Sequence, residues 1–467
     1  MRTFVIVLLM LVSAVHSHAA TYYVRTDGNN SNTGLTDSAG GAWLTIGKCA
    51  SDMVAGDTCI VGNGTYVSGA INFAISGTEA NPITLRAQNK HQAILSSTSG
   101  CSANIATNAS YIVIDGIRTQ INAGNTPCAG GHNSTDGDGI RCFAGNVPHL
   151  GGTETTTYHH ITIKNTYHDA SSARSHGIKC EGDSTVVESN YSANGMESGF
   201  GEGIIFRYND IEGPDGFGNV FGCTKFGSRN AQCYGNRIKC ATDWAACIFL
   251  GGTAAEGFHW DTSNRYEGYN AVAYGNLFIQ TGSPVNPMEI AQFGCKDCLI
   301  TYNTIVGDRL RFRFMQGGGS TGRKYPENPT IKNNILISTG DCFADIGNYT
   351  GTRTIDRNNF RNCTSPPSQT NNPSGDPNLD ANYVPQAGSP VIDAADWISS
   401  WPAYGGGSIN LNLETMPAWF AGTWAPRAFG ITPDVGAFEY FPPGTGESGQ
   451  SQSPPANSYR RHPLFWR

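Results

Sequence analysis

The segment Ile300-Thr-Tyr-Asn303-Thr-Ile305 shows a pattern that this chain repeats: an apolar residue, two variable residues, Asn, one variable residue and a second apolar residue. The same pattern occurs in residues 206–211, 233–238, 273–278, 331–336 and 355–360. With looser matches at Asn165 and Asn190, eight Asn align. They stand at positions 165, 190, 209, 236, 276, 303, 334 and 358, with steps of 25, 19, 27, 40, 27, 31 and 24 residues. Most steps therefore lie near 25 residues.

A period of this length predicts a coiled β-solenoid, in which each turn buries its apolar residues by stacking on its neighbours. Stacked turns lie ~4.8 Å apart, so an inward amide can hydrogen-bond to the amides above and below it. Asn also tolerates the left-handed backbone of a sharp corner. An antiparallel sandwich would instead show hairpin signals every ~8–12 residues.

Composition agrees with an all-β fold. Only 14% of the 467 residues are charged and 58 are Gly, a balance that disfavours long helices. The net charge is −7, from 30 Lys and Arg against 37 Asp and Glu, which argues against a nucleic-acid-binding protein.

The N-terminus predicts secretion. Arg2 precedes an apolar run that ends at Val15, and Ser17-His-Ala19 has the small-x-small form of a cleavage site, so residues 1–19 are predicted to be a signal peptide. The run is too short to span a membrane, and no later segment is longer. All 14 Cys follow it, which predicts disulfides in an oxidising compartment. Near neighbours suggest Cys49 with Cys59, Cys223 with Cys233, Cys240 with Cys247, Cys295 with Cys298 and Cys342 with Cys363.

The two ends differ from the repetitive middle. We expect one helix, at about residues 45–54, followed by a strand at 58–62, as a cap on the open end of the solenoid. Residues 364–435 lose the repeat and are rich in Pro, Gly and Trp, which predicts an irregular C-terminal cap. Residues 441–467 are predicted to be a disordered tail, so that one domain covers residues 20–440.

Both ends carry recognisable segments: Asp27-Gly-Asn-Asn-Ser-Asn-Thr-Gly34, Trp43-Leu-Thr-Ile46, Asn81-Pro-Ile-Thr-Leu-Arg-Ala87, Gly388-Ser-Pro-Val-Ile-Asp393 and Asp434-Val-Gly-Ala-Phe-Glu-Tyr440. With the Asn series, they resemble secreted right-handed parallel β-helix proteins of the pectate-lyase-like superfamily, including the chondroitinase B and alginate lyase group. The resemblance covers about residues 20–440 and implies a right-handed parallel β-helix with an N-terminal cap helix. It is less specific for chemistry, since the superfamily also holds hydrolases and epimerases.

Three segments are candidates for successive coils of one sheet: 138–143, 176–181 and 203–207. The first two share Gly-Ile-basic-Cys, so alternation places Arg141 and Lys179 outside and stacks Cys142 on Cys180, a candidate disulfide. The third contributes Arg207. Later coils in this register are expected to lack the basic residues.

Cleavage of a uronic-acid polymer by β-elimination needs a base for the proton next to the carboxylate, a positive group on that carboxylate and a proton for the leaving oxygen. Arg141 and Arg207 supply positive charge, and Lys179 between two arginines is expected to have a lowered pKa, in the range of a base. His176 is the alternative base. The resemblance supports the order Lys179 then Arg207, because the lyases of this group use a Lys on one coil and an Arg on the next.

The resemblance also implies calcium. Asp136, Asp138, Glu181 and Asp183 lie on the two coils of Arg141 and Lys179 and are candidate ligands. The chondroitinase B group, however, places two Glu just before its Lys, and this chain has Ala173-Arg-Ser-His176 there, so that calcium site is not reproduced.

Three alternatives remain open. A hydrolase similar to the polygalacturonases would need paired carboxylates, but Thr155-Thr-Thr-Tyr158 stands where one pair is expected. A glycan-binding protein would use exposed aromatic residues, for which Trp244, Trp260, Tyr266 and Tyr269 are candidates. The charged face could also be only solvated surface, with Lys179 paired to Glu181. The leading hypothesis is a secreted, monomeric lyase acting on an acidic polysaccharide.

Overall fold

Three parallel sheets form the faces of the molecule in the computed structural model. It describes residues 19–68, 70–97, 104–121, 138–142, 158–169, 176–213, 220–240, 246–252, 265–280, 286–317, 324–411, 415–418, 423–426 and 433–438. The predicted signal peptide and C-terminal tail lie outside these residues, apart from Ala19. Each full coil adds one strand to each sheet in turn, which defines a right-handed parallel β-helix.

Sheet A has twelve strands, which are Thr21–Val24, Thr58–Val61, Ile83–Ala87, Ile112–Asp115, Ile161–Lys164, Val186–Glu188, Ile205–Arg207, Gln232–Tyr234, Val272–Tyr274, Leu299–Thr301, Thr330–Lys332 and Thr354–Asp356. Sheet B has eleven, which are Gly64–Ser68, Ala93–Ser97, Arg118–Ile121, Tyr167–His168, Tyr191–Ser192, Asp210–Glu212, Arg237–Cys240, Leu277–Gln280, Thr304–Val306, Ile335–Ile337 and Asn359–Arg361.

Sheet C has ten strands, which are Ile71–Phe73, Ile105–Thr107, Ile140–Cys142, Ile178–Cys180, Met196–Ser198, Phe221–Thr224, Ala246–Gly251, Met288–Phe293, Leu310–Met315 and Phe343–Ala344. A three-stranded sheet at the corner between sheets C and A holds Ser228–Arg229, Gly268–Tyr269 and Cys295–Lys296. Two hairpins, Ser400–Pro402 with Ser408–Asn410 and Thr415–Ala418 with Thr423–Pro426, lie in the C-terminal region.

An amide ladder marks the corner between sheets A and B. The side-chain Nδ2 of each Asn donates to the Oδ1 of the next, at 2.9–3.0 Å. Its seven members are Asn190, Asn209, Asn236, Asn276, Asn303, Asn334 and Asn358. All seven are buried. Gln369 ends the ladder: its Oε1 accepts from Asn358 Nδ2, and its Nε2 donates to the backbone carbonyl of Asn358.

Two details of the predicted ladder are wrong. The left-handed residue is the one before each Asn, with φ between 50° and 62°, as at Tyr302 and Gly275. Asn165 is itself left-handed and therefore stands one position early; its side chain donates to Asp115. Thr166 takes the ladder position, where its backbone N–H and its hydroxyl both donate to Asn190 Oδ1.

The interior is filled by buried side chains that stack in register from one strand to the next. In sheet A this row runs through Ile163, Val187, Phe206, Cys233, Ala273, Ile300 and Ile331, all with no exposed surface. Because each of these residues is covered only by the coils on either side, the core depends on stacking.

The disulfide predictions are confirmed. The five near-neighbour pairs are all bonded, and Cys142 is bonded to Cys180 across two coils. Cys101 and Cys128 lie outside the described residues.

The caps lie where the sequence predicts them. The helix Ile46–Asp52 buries Ile46, Cys49 and Ala50 against the first coils. At the other end, the chain turns back along the outside of sheet A; we call residues 394–411 the C-terminal strap. Its contacts run from Asn333, which pairs with Asp396, to Asn230, whose Oδ1 accepts from Tyr404. Within the described part of the chain, no helix has the length and apolar character that a membrane crossing needs.

Candidate active site on sheet C

Two of the predicted segments do lie on neighbouring coils. Ile140 pairs with Ile178, Arg141 with Lys179 and Cys142 with Cys180, as the shared pattern indicates. The isoleucines and cysteines fill the interior, so Arg141 and Lys179 stand on the outer side of sheet C.

A carboxylate follows them on the third coil. Lys179 is in register with Glu197, and the Lys179 Nζ lies 3.1 Å from Glu197 Oε1. Lys225, which follows the next strand of the sheet, places its Nζ 3.3 Å from Glu197 Oε2. Two ammonium groups therefore share one carboxylate. Sequence analysis missed both Glu197 and Lys225.

His176 lies between two carboxylates. Its backbone N–H donates to Asp138 Oδ1 at 2.9 Å, and its Nδ1 is 3.6 Å from the same oxygen. Its Nε2 is 3.9 Å from Glu197 Oε2. The His176 side chain is 24% exposed, whereas the side chain of Asp138 is 1% exposed. Asp138 thus fixes an imidazole that solvent or a ligand can reach.

Arg141 joins a third carboxylate to this group. Its guanidinium lies 3.8 Å from Asp138 and 3.7 Å from Glu181. We use "charged cluster" for the seven residues that these contacts connect: Asp138, Arg141, His176, Lys179, Glu181, Glu197 and Lys225. Three basic side chains and three carboxylates converge on four successive coils of sheet C.

The environment raises the pKa of Lys179, contrary to the predicted lowering. Burial alone would lower this pKa, but the charges of Glu197, Glu181 and Asp138 outweigh it. A second arginine, which the prediction required, is not there. Lys179 is therefore an ammonium ion at neutral pH and cannot serve as the resting base.

Two of the carboxylates are held ionised. Burial would raise the pKa of Glu197, yet Lys179 and Lys225 bring it well below its ordinary 4.5. Burial likewise opposes ionisation of Asp138, and the hydrogen bond and charge of His176 lower the pKa of Asp138 on balance. Neither acid carries a proton at neutral pH.

The placement of Arg207 beside Lys179 is wrong. Arg207 lies on sheet A, in register with Glu188 and Tyr234. Its guanidinium pairs with Glu188 at 2.6 Å and donates to the Tyr234 hydroxyl at 3.1 Å. The physical reason is the amide ladder: Arg207 stands two residues before Asn209, and strands that precede a ladder Asn belong to sheet A.

The described carboxylates of the predicted calcium site contact cations or backbone, and the calcium site stays a prediction. Asp138 and Glu181 contact Arg141, while Asp183 accepts the backbone N–H of Glu202 at 2.7 Å. Among the described residues, no group of three or more His, Cys, Asp or Glu has the geometry to hold a metal. Asp136 lies outside them. No step below is routed through calcium.

The two described aromatic candidates are packing residues. Tyr266 and Tyr269 are 7% and 3% exposed, and their rings meet edge to face. Tyr266 donates to Glu327, and Tyr269 packs on Tyr404 of the C-terminal strap. They are therefore not a sugar-stacking surface. Trp244 and Trp260 lie outside the described residues.

Solved structures of similar shape are parallel β-helix enzymes. A pectate lyase, Pel9A, is 16% identical with a TM-score of 0.42, over 91% of this chain and 97% of that chain. A variant of the PL6 family alginate lyase AlyGC is 13% identical with a TM-score of 0.37, over 74% of this chain and 55% of that one. The GH136 lacto-N-biosidase from Eubacterium ramulus is 12% identical with a TM-score of 0.43, over 73% of this chain and 63% of that chain.

This chain thus spans only about half the length of that alginate lyase. No protein-family model matches the sequence, and no match was found among curated proteins. The reaction therefore has to be argued from the residues of this chain. The fold and the site together define a right-handed parallel β-helix protein with a buried charged cluster on one face.

Proposed function

We propose that this protein is a secreted polysaccharide lyase that cleaves a uronic-acid-containing polymer by β-elimination on the outer face of sheet C. The observation that carries the proposal is a reachable imidazole fixed by a buried carboxylate, next to an ammonium group that stays protonated. The disulfides agree with an extracellular protein.

In this mechanism His176, and not Lys179, is the base. Its imidazole takes the proton from the carbon next to the substrate carboxylate, and the electron pair of that bond forms the new carbon–carbon double bond. The bond from the neighbouring carbon to the glycosidic oxygen breaks, and the leaving oxygen takes a proton from Lys179. Asp138 stabilises the imidazolium that forms, as a carboxylate beside a catalytic His does elsewhere.

The cations hold the substrate carboxylate. Because Lys179 and Lys225 share Glu197, the pair retains positive charge that an incoming carboxylate can use. Arg141 lies on the adjacent coil and offers a planar guanidinium for the same purpose. Negative charge that develops on the carboxylate during proton removal is stabilised most where these donors are already in place.

A hydrolase fits the site less well. Glycoside hydrolysis needs one carboxyl group that keeps its proton at working pH. The pKa values of Asp138 and Glu197 are both lowered, so these two acids cannot fill that role.

The first test is incubation with alginate, pectate, chondroitin sulfate, dermatan sulfate and hyaluronan, each with calcium and with a chelator. Ultraviolet absorbance and reducing ends are followed together. Absorbance that rises with reducing ends is expected, because the elimination leaves an unsaturated sugar. Reducing ends without absorbance would show a hydrolase, and retention without either signal would show a binding protein.

The second test is His176→Asn on the polymer that is cleaved. We expect a loss of about 10²–10⁴-fold in kcat with the fold intact. His160→Asn is the matched control, since His160 is an exposed histidine at a corner of sheet A, and Asn tolerates its positive φ. Equal activity of the two variants would contradict the assignment of His176.

A further inference from the structure

A second charged group lies on sheet C, far along the solenoid from Lys179. In the strand Leu310–Met315, Leu310, Phe312 and Phe314 are fully buried, and Arg311 and Arg313 alternate with them on the outer side. Arg313 continues the outer row of Lys179, which runs through Arg141, Lys179, Glu197, Gly222, Phe249, Ala291 and Arg313. The expectation that later coils lack basic residues is therefore wrong.

Carboxylates hold these two arginines in place. Glu289 accepts from Arg311 Nη2 at 3.0 Å and from Arg313 Nη1 at 2.6 Å. Asp345 accepts from Arg313 Nε at 2.6 Å. The arginine side chains are 20% and 28% exposed, so both are ordered and reachable.

Each guanidinium keeps one terminal nitrogen for a further acceptor. Within the described residues, these hydrogen bonds use neither Arg313 Nη2 nor Arg311 Nη1. Each of these nitrogens carries two N–H donors, and a carboxylate oxygen accepts from such a charged donor. An anionic group of a ligand can therefore bind here without displacing Glu289 or Asp345.

Three uncharged residues of the outer row lie between this group and the charged cluster. Gly222, Phe249 and Ala291 occupy the outer row between Glu197 and Arg313. A Cβ at Gly222 would lie 2.5 Å from the Phe249 ring, so that position has no room for a side chain. Five strand spacings of ~4.8 Å place Arg313 about 24 Å from Lys179, the span of several sugar units.

We propose that Arg311 and Arg313 form a distal subsite that binds a carboxylate of the same polymer chain whose cleavage takes place at the charged cluster. This inference rests on the proposed function and deepens it. The preferred substrate is a long acidic chain that spans both groups, and cleavage falls within the chain and not only at its end.

The test compares Arg311→Gln/Arg313→Gln with Arg237→Gln. Arg237 is a matched control, because it stands on the outside of sheet B and pairs with Asp210 of the neighbouring strand in the same way. The readouts are retardation in native gels that contain each of the five polymers, and KM and kcat on intact polymer and on short fragments that cover only the charged cluster. We expect the double variant to bind the polymer about tenfold or more weakly and to show a correspondingly higher KM on intact polymer. Its kcat and its kinetics on short fragments should not change.

Arg313→Lys keeps the charge without the planar fork and should recover part of the affinity. Wild-type retention and KM in the double variant would overturn the distal subsite while leaving the lyase in place. In a third outcome, the polymer retards the wild type but not the double variant, and the wild type forms no unsaturated product. That result would overturn the lyase and keep the subsite as an anion-binding surface. A wild type that neither binds nor cleaves any of the polymers overturns both.

Discussion

The outer faces of sheets A and C are built from the same coils but differ in character: part of the first is apolar and covered by the chain, and the second carries charged groups. On sheet A the outward residues include Val272, Leu299 and Tyr274, which are covered by Ile409 and Leu411 of the C-terminal strap and its neighbours. On sheet C the corresponding face carries the charged cluster and the distal arginines. An apolar outer face is stabilised by chain that covers it, whereas a charged one is kept for water or a ligand. The comparison therefore favours a stabilising role for the outer face of sheet A, and the proposed function places binding on sheet C.

In the comparison of the two faces, the first and largest effect on activity is expected at the ammonium group of the charged cluster. Lys179→Gln should lower kcat/KM about 10²–10³-fold, because it removes a fixed cation at the point where negative charge develops. Lys239→Gln is the control, since Lys239 pairs with Glu212 on sheet B. Steady-state kinetics on the cleaved polymer measure both. A Lys179→Gln enzyme within threefold of the wild type would remove sheet C as the reactive face.

On sheet A the same kind of experiment should change stability instead. Tyr302 is fully buried and its hydroxyl donates to Asp396 and accepts from the backbone N–H of Ile398 at 2.9 Å. Tyr302→Ala should lower the free energy of unfolding by about 3–5 kcal/mol, and Tyr302→Phe by about 1–3 kcal/mol, since Phe keeps the volume and leaves that N–H unpaired. Urea denaturation measures both, and specific activity of the folded protein should not change.

The charged cluster should also make stability fall in acid. The pKa of Glu197 is lowered in the folded protein, so its contribution is complete above its ordinary 4.5 and is lost as pH falls toward the lower folded value. The stability difference between wild type and Glu197→Gln should therefore shrink by about 2–3 kcal/mol as the pH is taken from 7 to well below 4.5. A difference that is constant with pH would mean that Lys179 and Lys225 do not stabilise the ionised carboxylate.

The smallest effect is expected at Arg207. Its ion pair with Glu188 is partly exposed on sheet A, so Arg207→Gln should cost about 0–1 kcal/mol and leave the kinetics unchanged. The same urea and kinetic measurements apply. A large loss of activity in this variant would reopen sheet A as a site of chemistry.

The fold could be read from the sequence because it repeats. One Asn per coil, with apolar residues at fixed offsets, recurs along the ladder, so the signal accumulates over seven coils. The disulfide of Cys142 with Cys180 followed from the same regularity, since two coils with one pattern must stack in register. Asn165 was misread because a single coil that differs by one residue has no repeat to correct it.

The site could be read only in part, because each of its residues occurs once. Arg141, His176 and Lys179 were found through the shared Gly-Ile-basic-Cys pattern. Glu197 was missed, although counting would have found it: a coil between Asn190 and Asn209 must supply one strand to sheet C. The pKa of Lys179 could not be inferred, because it depends on carboxylates from three coils and on their burial.

Gln369 has a consequence for how long this solenoid can become. A last coil with open amides and unpaired strand edges is a template on which a second copy could continue the stack, as in fibril growth. Gln369 Oε1 accepts from both the backbone N–H and the side-chain amide of Asn358, and its Nε2 donates to the Asn358 carbonyl. The amide ladder therefore ends on a residue of the same chain. One glutamine thus occupies the place at the end of the ladder where the amide of another copy would otherwise have to stack.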